Sequence, residues 1–196
     1  SVAQPPSAVR PVPHFKNEPD AAFHLAATRT SFSSALESVR AQLGKSYPLV
    51  IGGKTLAGEA GEIVSRCPSD RALVVGRTAS ASPAQADAAA AAAKKAFPAW
   101  RDTPVQDRCT ILRKAAEIMR RRKAELAAWE VFEAAKPLRE ADGDVAEAID
   151  FLDYYAWQAE QLMTPRRRAP VPGEIDEDWY QPRGVAAVIA PWNFPL

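Results

Sequence analysis

Apolar positions along this chain recur with helical spacing through its middle and gather into short continuous runs on either side. Between residues 23 and 43, Phe32, Leu36, Val39 and Leu43 fall at helical spacing, and Gly44 suits the left-handed residue that ends a helix. Two strand-like runs follow. One is Tyr47-Pro48-Leu49-Val50-Ile51, closed by Gly52-Gly53; the other is a stretch from Glu62 through Leu73-Val74-Val75-Gly76. Ser82-Pro83-Ala84-Gln85 and Thr103-Pro104-Val105-Gln106 each put a hydroxyl at an N-cap, proline at the first helical position and glutamine three residues after the cap. In such a box the hydroxyl accepts from a free backbone N–H while glutamine reaches back to the cap. The first of these helices is alanine-rich over residues 84–96 and is expected to end near Phe97-Pro98. The second carries Val105, Cys109, Leu112, Ala116 and Met119 at steps of 4, 3, 4 and 3. Itself or in continuation, it is expected to reach Lys136, where Pro137 stops it.

A third helix is predicted from between Arg139 and Asp144 to Thr164-Pro165, with a stripe of Val145, Ile149, Leu152, Ala156 and Ala159. Phe151, Tyr154, Tyr155 and Trp157 lie partly off that stripe, which predicts burial on more than one side. Residues 165–180 read as two extended arms joined by a turn near Pro172-Gly173. The run Val185-Ala186-Ala187-Val188-Ile189-Ala190 then reads as a parallel-type strand entering the loop Pro191-Trp192-Asn193-Phe194-Pro195. Residues 1–22, with Pro5, Pro6, Pro11, Pro13 and Pro19, read as an extended arm. The order predicts an α/β protein divided into an arm (1–22), a mainly helical part (23–164), a hairpin (165–183) and a strand with its loop (184–196). An apolar strand of this kind needs sheet neighbours on both faces, and the chain opens at Ser1 and stops just after it. The expectation is a piece of a longer polypeptide.

Composition narrows the function classes. Of 196 residues, 47% are hydrophobic and 25% charged, which is globular rather than disordered composition. Twenty-five basic against 24 acidic residues leave a net charge of +1, too little for nucleic acid or an anionic membrane as the main partner. The basic runs Arg120-Arg121-Arg122-Lys123 and Arg166-Arg167-Arg168 read as solvated or intersubunit charge. Cys67 and Cys109 supply neither a disulfide framework nor metal-ligand spacing, and His14 and His24 lack partners, so no metal site is expected. No segment approaches the roughly 20 apolar residues of a membrane helix, and no signal-peptide core begins the chain. A soluble cytoplasmic protein is expected.

The informative chemistry sits at the end of the 185–190 run, because ligands of open α/β sheets bind beyond the carboxyl ends of strands. Pro191 and Pro195 bias Ala190 and Phe194 toward extended backbone and stiffen the loop around Trp192 and Asn193. A carboxamide fixed in this way can donate to developing negative charge without reorganising. Loop asparagines also commonly satisfy their own turn, and spacing does not decide between the two.

The segment Gly184-Val185-Ala186-Ala187-Val188-Ile189-Ala190-Pro191-Trp192-Asn193-Phe194-Pro195-Leu196 resembles the first dinucleotide-binding strand and loop of the aldehyde dehydrogenase superfamily. Glu133-Ala134-Ala135-Lys136-Pro137, Glu147-Ala148-Ile149-Asp150-Phe151 and Tyr154-Tyr155 resemble that family's N-terminal helices. Three further stretches are most similar to its 1-pyrroline-5-carboxylate dehydrogenase branch, which oxidises glutamate semialdehyde: Phe15-Lys16-Asn17-Glu18-Pro19, residues 44–53, and Glu140-Ala141-Asp142-Gly143-Asp144. The resemblance implies the N-terminal part of that fold, with an oligomerisation hairpin over 165–183 joining like subunits, and the first strand of a Rossmann-like sheet. It also implies NAD lined by Ile189, Ala190, Pro191 and Trp192, and an oxyanion-stabilising role for Asn193. Phe194 would stand at the channel of a small-molecule aldehyde, and Glu147 near the substrate or gating region. The nucleophilic cysteine, general-base glutamate and ribose-binding lysine of the family would lie beyond Leu196, which implies that these residues alone are inactive. An aldehyde dehydrogenase of other specificity and a non-catalytic assembly module of the same fold remain competing readings.

Overall fold

A computed structural model describes residues 15–168 and 171–196. The first fourteen residues of the expected arm, including four of its prolines and His14, lie outside the described residues. The chain forms α1 (Ala26–Arg40), β1 (Lys45–Tyr47), β2 (Leu49–Ile51), β3 (Lys54–Leu56), β4 (Glu62–Cys67), β5 (Asp70–Ala79), α2 (Pro83–Asp102), α3 (Val105–Arg121), α4 (Lys123–Ala134), α5 (Leu138–Leu162), β6 (Arg166–Arg167) and β7 (Glu177–Asp178). Helix and strand are mixed, as the order of apolar patterns predicts.

The strands divide more finely than their apolar runs. Pro48 splits the first run: β1 pairs parallel with β5, whereas β2 turns back on β3 through Gly52 and Gly53, whose φ of 57° and 77° fit a tight hairpin. The second run is itself a hairpin, β4 against β5, giving the sheet order β1-β5-β4. Its turn falls at Pro68-Ser69, ahead of Asp70, whose carboxylate accepts from Ala72 N at 3.1 Å.

The capping box at Ser82 forms: Gln85 N donates to Ser82 Oγ (3.2 Å) and Ser82 N donates to Gln85 Oε1 (3.1 Å). Gln85 also accepts from Glu59 N (3.0 Å) and donates to Ala57 O (2.8 Å), so one buried carboxamide fastens loop and helix together. The second expected box does not form. Thr103 Oγ1 donates to Ala99 O (2.9 Å) at the end of α2, and Pro104 caps α3 through its carbonyl. Nor does α2 end at Phe97-Pro98; it continues to Asp102 with Pro98 inside. Proline there frees only the Lys94 carbonyl, which an exposed helix leaves open to solvent.

The long helical run to Lys136 is likewise two helices. Arg122 (φ −104°, ψ 13°) breaks it, its N–H shared between Ile118 O and Met119 O, and α4 closes at Ala135 in the left-handed region (φ 53°). The break lets α3 and α4 each pack on α5, while α1 packs on α4. Phe32, Ala116, Ala127, Ala141, Val145 and Ile149 form the core. Residues 15–25 lie along α5: Asp150 accepts from Asn17 Nδ2 and Glu18 N (2.6 Å each), Asp142 from Ala21 N (2.6 Å), and Arg120 joins Glu18 to Asp153. Asp142 is fully buried and paired with Lys123 at 3.1 Å, the partnership a buried charge requires.

One expectation holds only in part and another fails. Trp157 is half-buried, but Phe151, Tyr154 and Tyr155 are exposed and meet chiefly one another along one side of α5, with the edge of Phe15 set against Tyr154. Residues 185–190 carry no strand: Val188 is 91% exposed, and without neighbours to exchange hydrogen bonds an apolar run forms no ladder. Before it, β6 and β7 form a short antiparallel ribbon, with a turn at 172–173 and Arg168 paired to Asp178 (2.6 Å).

Candidate active site

The corner between α4 and α5 faces the C-terminal turn across a cleft of about 800 Å³. Glu133 comes from the last turn of α4, Lys136 from the corner, Glu140 and Asp144 from the start of α5, and Trp192, Asn193 and Phe194 from the turn. The corner is sharp because Ala135 takes a left-handed conformation and Pro137 opens α5. A non-glycine residue there carries backbone strain of order 1 kcal/mol, which the surrounding structure must hold.

The turn is closed by main chain alone, Phe194 N donating to Pro191 O at 3.1 Å, so its closure does not draw on the Asn193 carboxamide. Asn193 is half-buried at the cleft wall. Trp192 stands at the mouth, 89% exposed, and Ile189 is 90% exposed with Ala190 and Pro191 beside it on open surface. Of the residues expected to line NAD, only Trp192 therefore borders the cleft. Glu147 lies on the exposed side of α5 and shares a hollow of about 80 Å³ with Phe194, Phe151 and Leu196. Phe194 and Asp144 border both that hollow and the cleft.

Reading the sequence missed the group at the centre. The Lys136 ammonium is bonded to Asp144, lies 3.9 Å from Glu130, and sits over the Phe194 ring at 5.1 Å from its centroid. Glu130 is 3% exposed and neither carboxylate oxygen has a hydrogen-bond partner. Burial pushes its pKa up to about 7, against the downward pull of Lys136. The available signal was the spacing: Glu130, Glu133 and Lys136 stand three residues apart at the end of a helix, just before a proline.

Neither cysteine suits nucleophilic work. Cys109 is 1% exposed and donates to Ala156 O at 3.3 Å; burial first, then the Glu160 charge, pushes its thiol up. Cys67 is buried in the sheet. Among the described residues there is no cluster of three or more metal-ligating side chains, and no helix is long and apolar enough to cross a membrane.

The aldehyde dehydrogenase family model matches residues 56–196. The chain is 46% identical over 182 residues to a 1-pyrroline-5-carboxylate dehydrogenase of Geobacillus thermodenitrificans, a match covering 93% of this chain and 35% of that protein. A crystal structure of 1-pyrroline-5-carboxylate dehydrogenase from Thermus with bound NAD superposes with a TM-score of 0.88 at 47% identity, over 96% of this chain and 36% of that one. Proline utilization A from Bdellovibrio bacteriovorus, inactivated by N-propargylglycine, superposes with a TM-score of 0.91 at 39% identity, over 96% and 20%. The chain thus spans about a third of the length of the curated relatives it matches. Its fold is that of their N-terminal part, and the chain belongs to the aldehyde dehydrogenase family.

Proposed function

We propose that these residues are the N-terminal third of a cytoplasmic, NAD-dependent dehydrogenase that oxidises L-glutamate γ-semialdehyde, the open form of 1-pyrroline-5-carboxylate, to glutamate in proline degradation. The observation that carries this reading is the turn at 191–194. Its closure is satisfied by backbone, and it leaves a carboxamide at the wall of a cleft shared with an aromatic ring and charged groups. Likeness to 1-pyrroline-5-carboxylate dehydrogenases over nearly the whole chain supports the substrate, and the NAD-bound Thermus structure supports the cofactor.

In this mechanism the Asn193 amide donates to the aldehyde oxygen as a thiolate attacks the carbonyl and negative charge grows there. Phe194 walls the aldehyde channel, and Glu147 borders its far side. Glu133, Glu140 and Asp144 outnumber Lys136 along the cleft, which favours the α-ammonium end of an amino-acid aldehyde. The bared apolar surface of Ile189 and Trp192 fits the planar rings of NAD, and Ala190 and Pro191 complete that face. Bound NAD supplies the hydride acceptor. Since Cys67 and Cys109 are both buried, the attacking thiol comes from outside these 196 residues. Like subunits associate through the 165–183 hairpin.

Asn193→Ala in the complete enzyme is expected to lower kcat by about a hundredfold while NAD affinity stays within about twofold. Single-turnover kinetics with isolated binding measurements test this; an unchanged rate of chemistry removes Asn193 from the mechanism. Purified residues 1–196 are expected to be inactive, and semialdehyde oxidation by them alone would contradict the assignment.

A further inference from the structure

We infer that Lys136 is a positioning residue: clamped between Asp144 and Glu130 at the α4–α5 corner, its ammonium holds the Phe194 ring, and through it the adjoining turn, in the geometry the aldehyde needs. The inference rests on the proposed dehydrogenase reading and assigns a role to a residue that this reading leaves without one.

Three observations point the same way. The lysine is almost enclosed, its side chain 14% exposed, so its charge is largely desolvated and its attraction to a ring face exceeds that of a surface pair. Its charge is also already answered. Asp144 bonds it, and Glu130, with both oxygens otherwise unpartnered, faces it at 3.9 Å. A lysine held this way is not free to bind a substrate carboxylate; what it offers the cleft is a fixed cation beneath an aromatic ring. Finally, Ala135 accepts a left-handed backbone immediately before it, where glycine would be unstrained. The corner thus carries backbone strain at the residue next to the clamped lysine.

Phe194 needs such a hold. It belongs to a turn whose preceding residues, 184–190, pair with no strand among the described residues, and its own closing bond reaches only back to Pro191. The Lys136 contact fixes the ring to the α4–α5 corner, while the ring also borders the α5 hollow beside Ala148 and Phe151.

The test uses the complete enzyme and two aldehydes, glutamate semialdehyde and propanal, the second carrying no charged group. Lys136→Met is expected to lower kcat/KM about tenfold for both aldehydes, with NAD Kd within about twofold. Lys136→Arg, which still pairs with Asp144 and covers the ring, restores it to within about threefold. Phe194→Leu gives a similar loss, and the double variant loses no more than the worse single one. Asp144→Asn, which frees the lysine without removing it, reproduces the pattern and replaces Lys136→Met should that variant fail to fold. A loss confined to the semialdehyde would make Lys136 a substrate contact and overturn the inference. So would multiplying losses in the double variant, or unchanged kinetics in stably folded Lys136→Met. A wild-type enzyme that oxidises propanal but not the semialdehyde would sink the substrate assignment while leaving the Lys136–Phe194 coupling measurable.

Discussion

The helical body and the C-terminal run 184–196 share the same branched apolar residues, valine and isoleucine, and those residues behave in opposite ways. In the body, Val145 and Ile149 are fully buried because α3 and α4 both lie on α5. In the run, Val188 and Ile189 are bare, although their neighbours in sequence are just as apolar. An apolar pattern states a demand for partners, and helices met that demand from within this chain. A strand meant for both faces of a sheet cannot.

The sharpest way to probe this contrast is a pair of truncations. Ile149→Ala is expected to cost about 2–5 kcal/mol of stability, whereas Val188→Ala stays within about 0.5 kcal/mol in residues 1–196. Urea unfolding of both variants measures the difference. In the complete enzyme the cost of Val188→Ala should rise above about 1 kcal/mol; equal costs for the two sites in the short chain would break the comparison.

Next in size is the pH dependence carried by Glu130. Its folded pKa, about 7, lies above the ordinary 4.5, so the folded state holds its proton more tightly than the unfolded chain. The associated stability is fully present below pH 4.5 and is lost as the pH rises to about 7, a change of about 3 kcal/mol. Glu130→Gln should flatten that slope and raise Tm above pH 7, with little effect near pH 4. An unaltered slope would mean that Glu130 meets solvent or a partner in solution.

The smallest expected effect separates the two look-alike caps. Ser82→Ala should cost about 1 kcal/mol, because its hydroxyl accepts the Gln85 N–H. Thr103→Ala should cost a few tenths, since its hydroxyl donates to Ala99 O at an exposed helix end. Thermal melts of the two variants side by side test this, and equal losses would argue that Thr103 caps α3 after all.

These particulars mark what the sequence makes legible. The stripe on α5, the box at Ser82 and the burial of Cys109 follow from local spacing and stand in the structure. The break at Arg122 does not, since arginine is a good helix former and the interruption arises from docking two helices on one. Pro98 marks a boundary only where a helix is shielded from water, and α2 is exposed there. The hairpin in the second strand run was legible in Pro68-Ser69-Asp70, a polar turn between Ile63-Val64 and Leu73-Val74-Val75, and reading residues 62–76 as one run passes over it. In the cleft, Asn193 and Phe194 stood out by their proline brackets. The Glu130, Lys136 and Asp144 cluster did not, because it exists only once α5 folds back across the Ala135 corner.

The strap along α5 sets a schedule for synthesis. Glu18 must find Asp150, 132 residues later in the chain. At about 5–20 residues per second, some 7–26 s pass between the two leaving the ribosome's catalytic centre. Throughout that interval the strap can reach Phe32, and later Arg120 and Lys123, but not the part of α5 that fixes Glu18, so it docks fully only after most of these residues have been made.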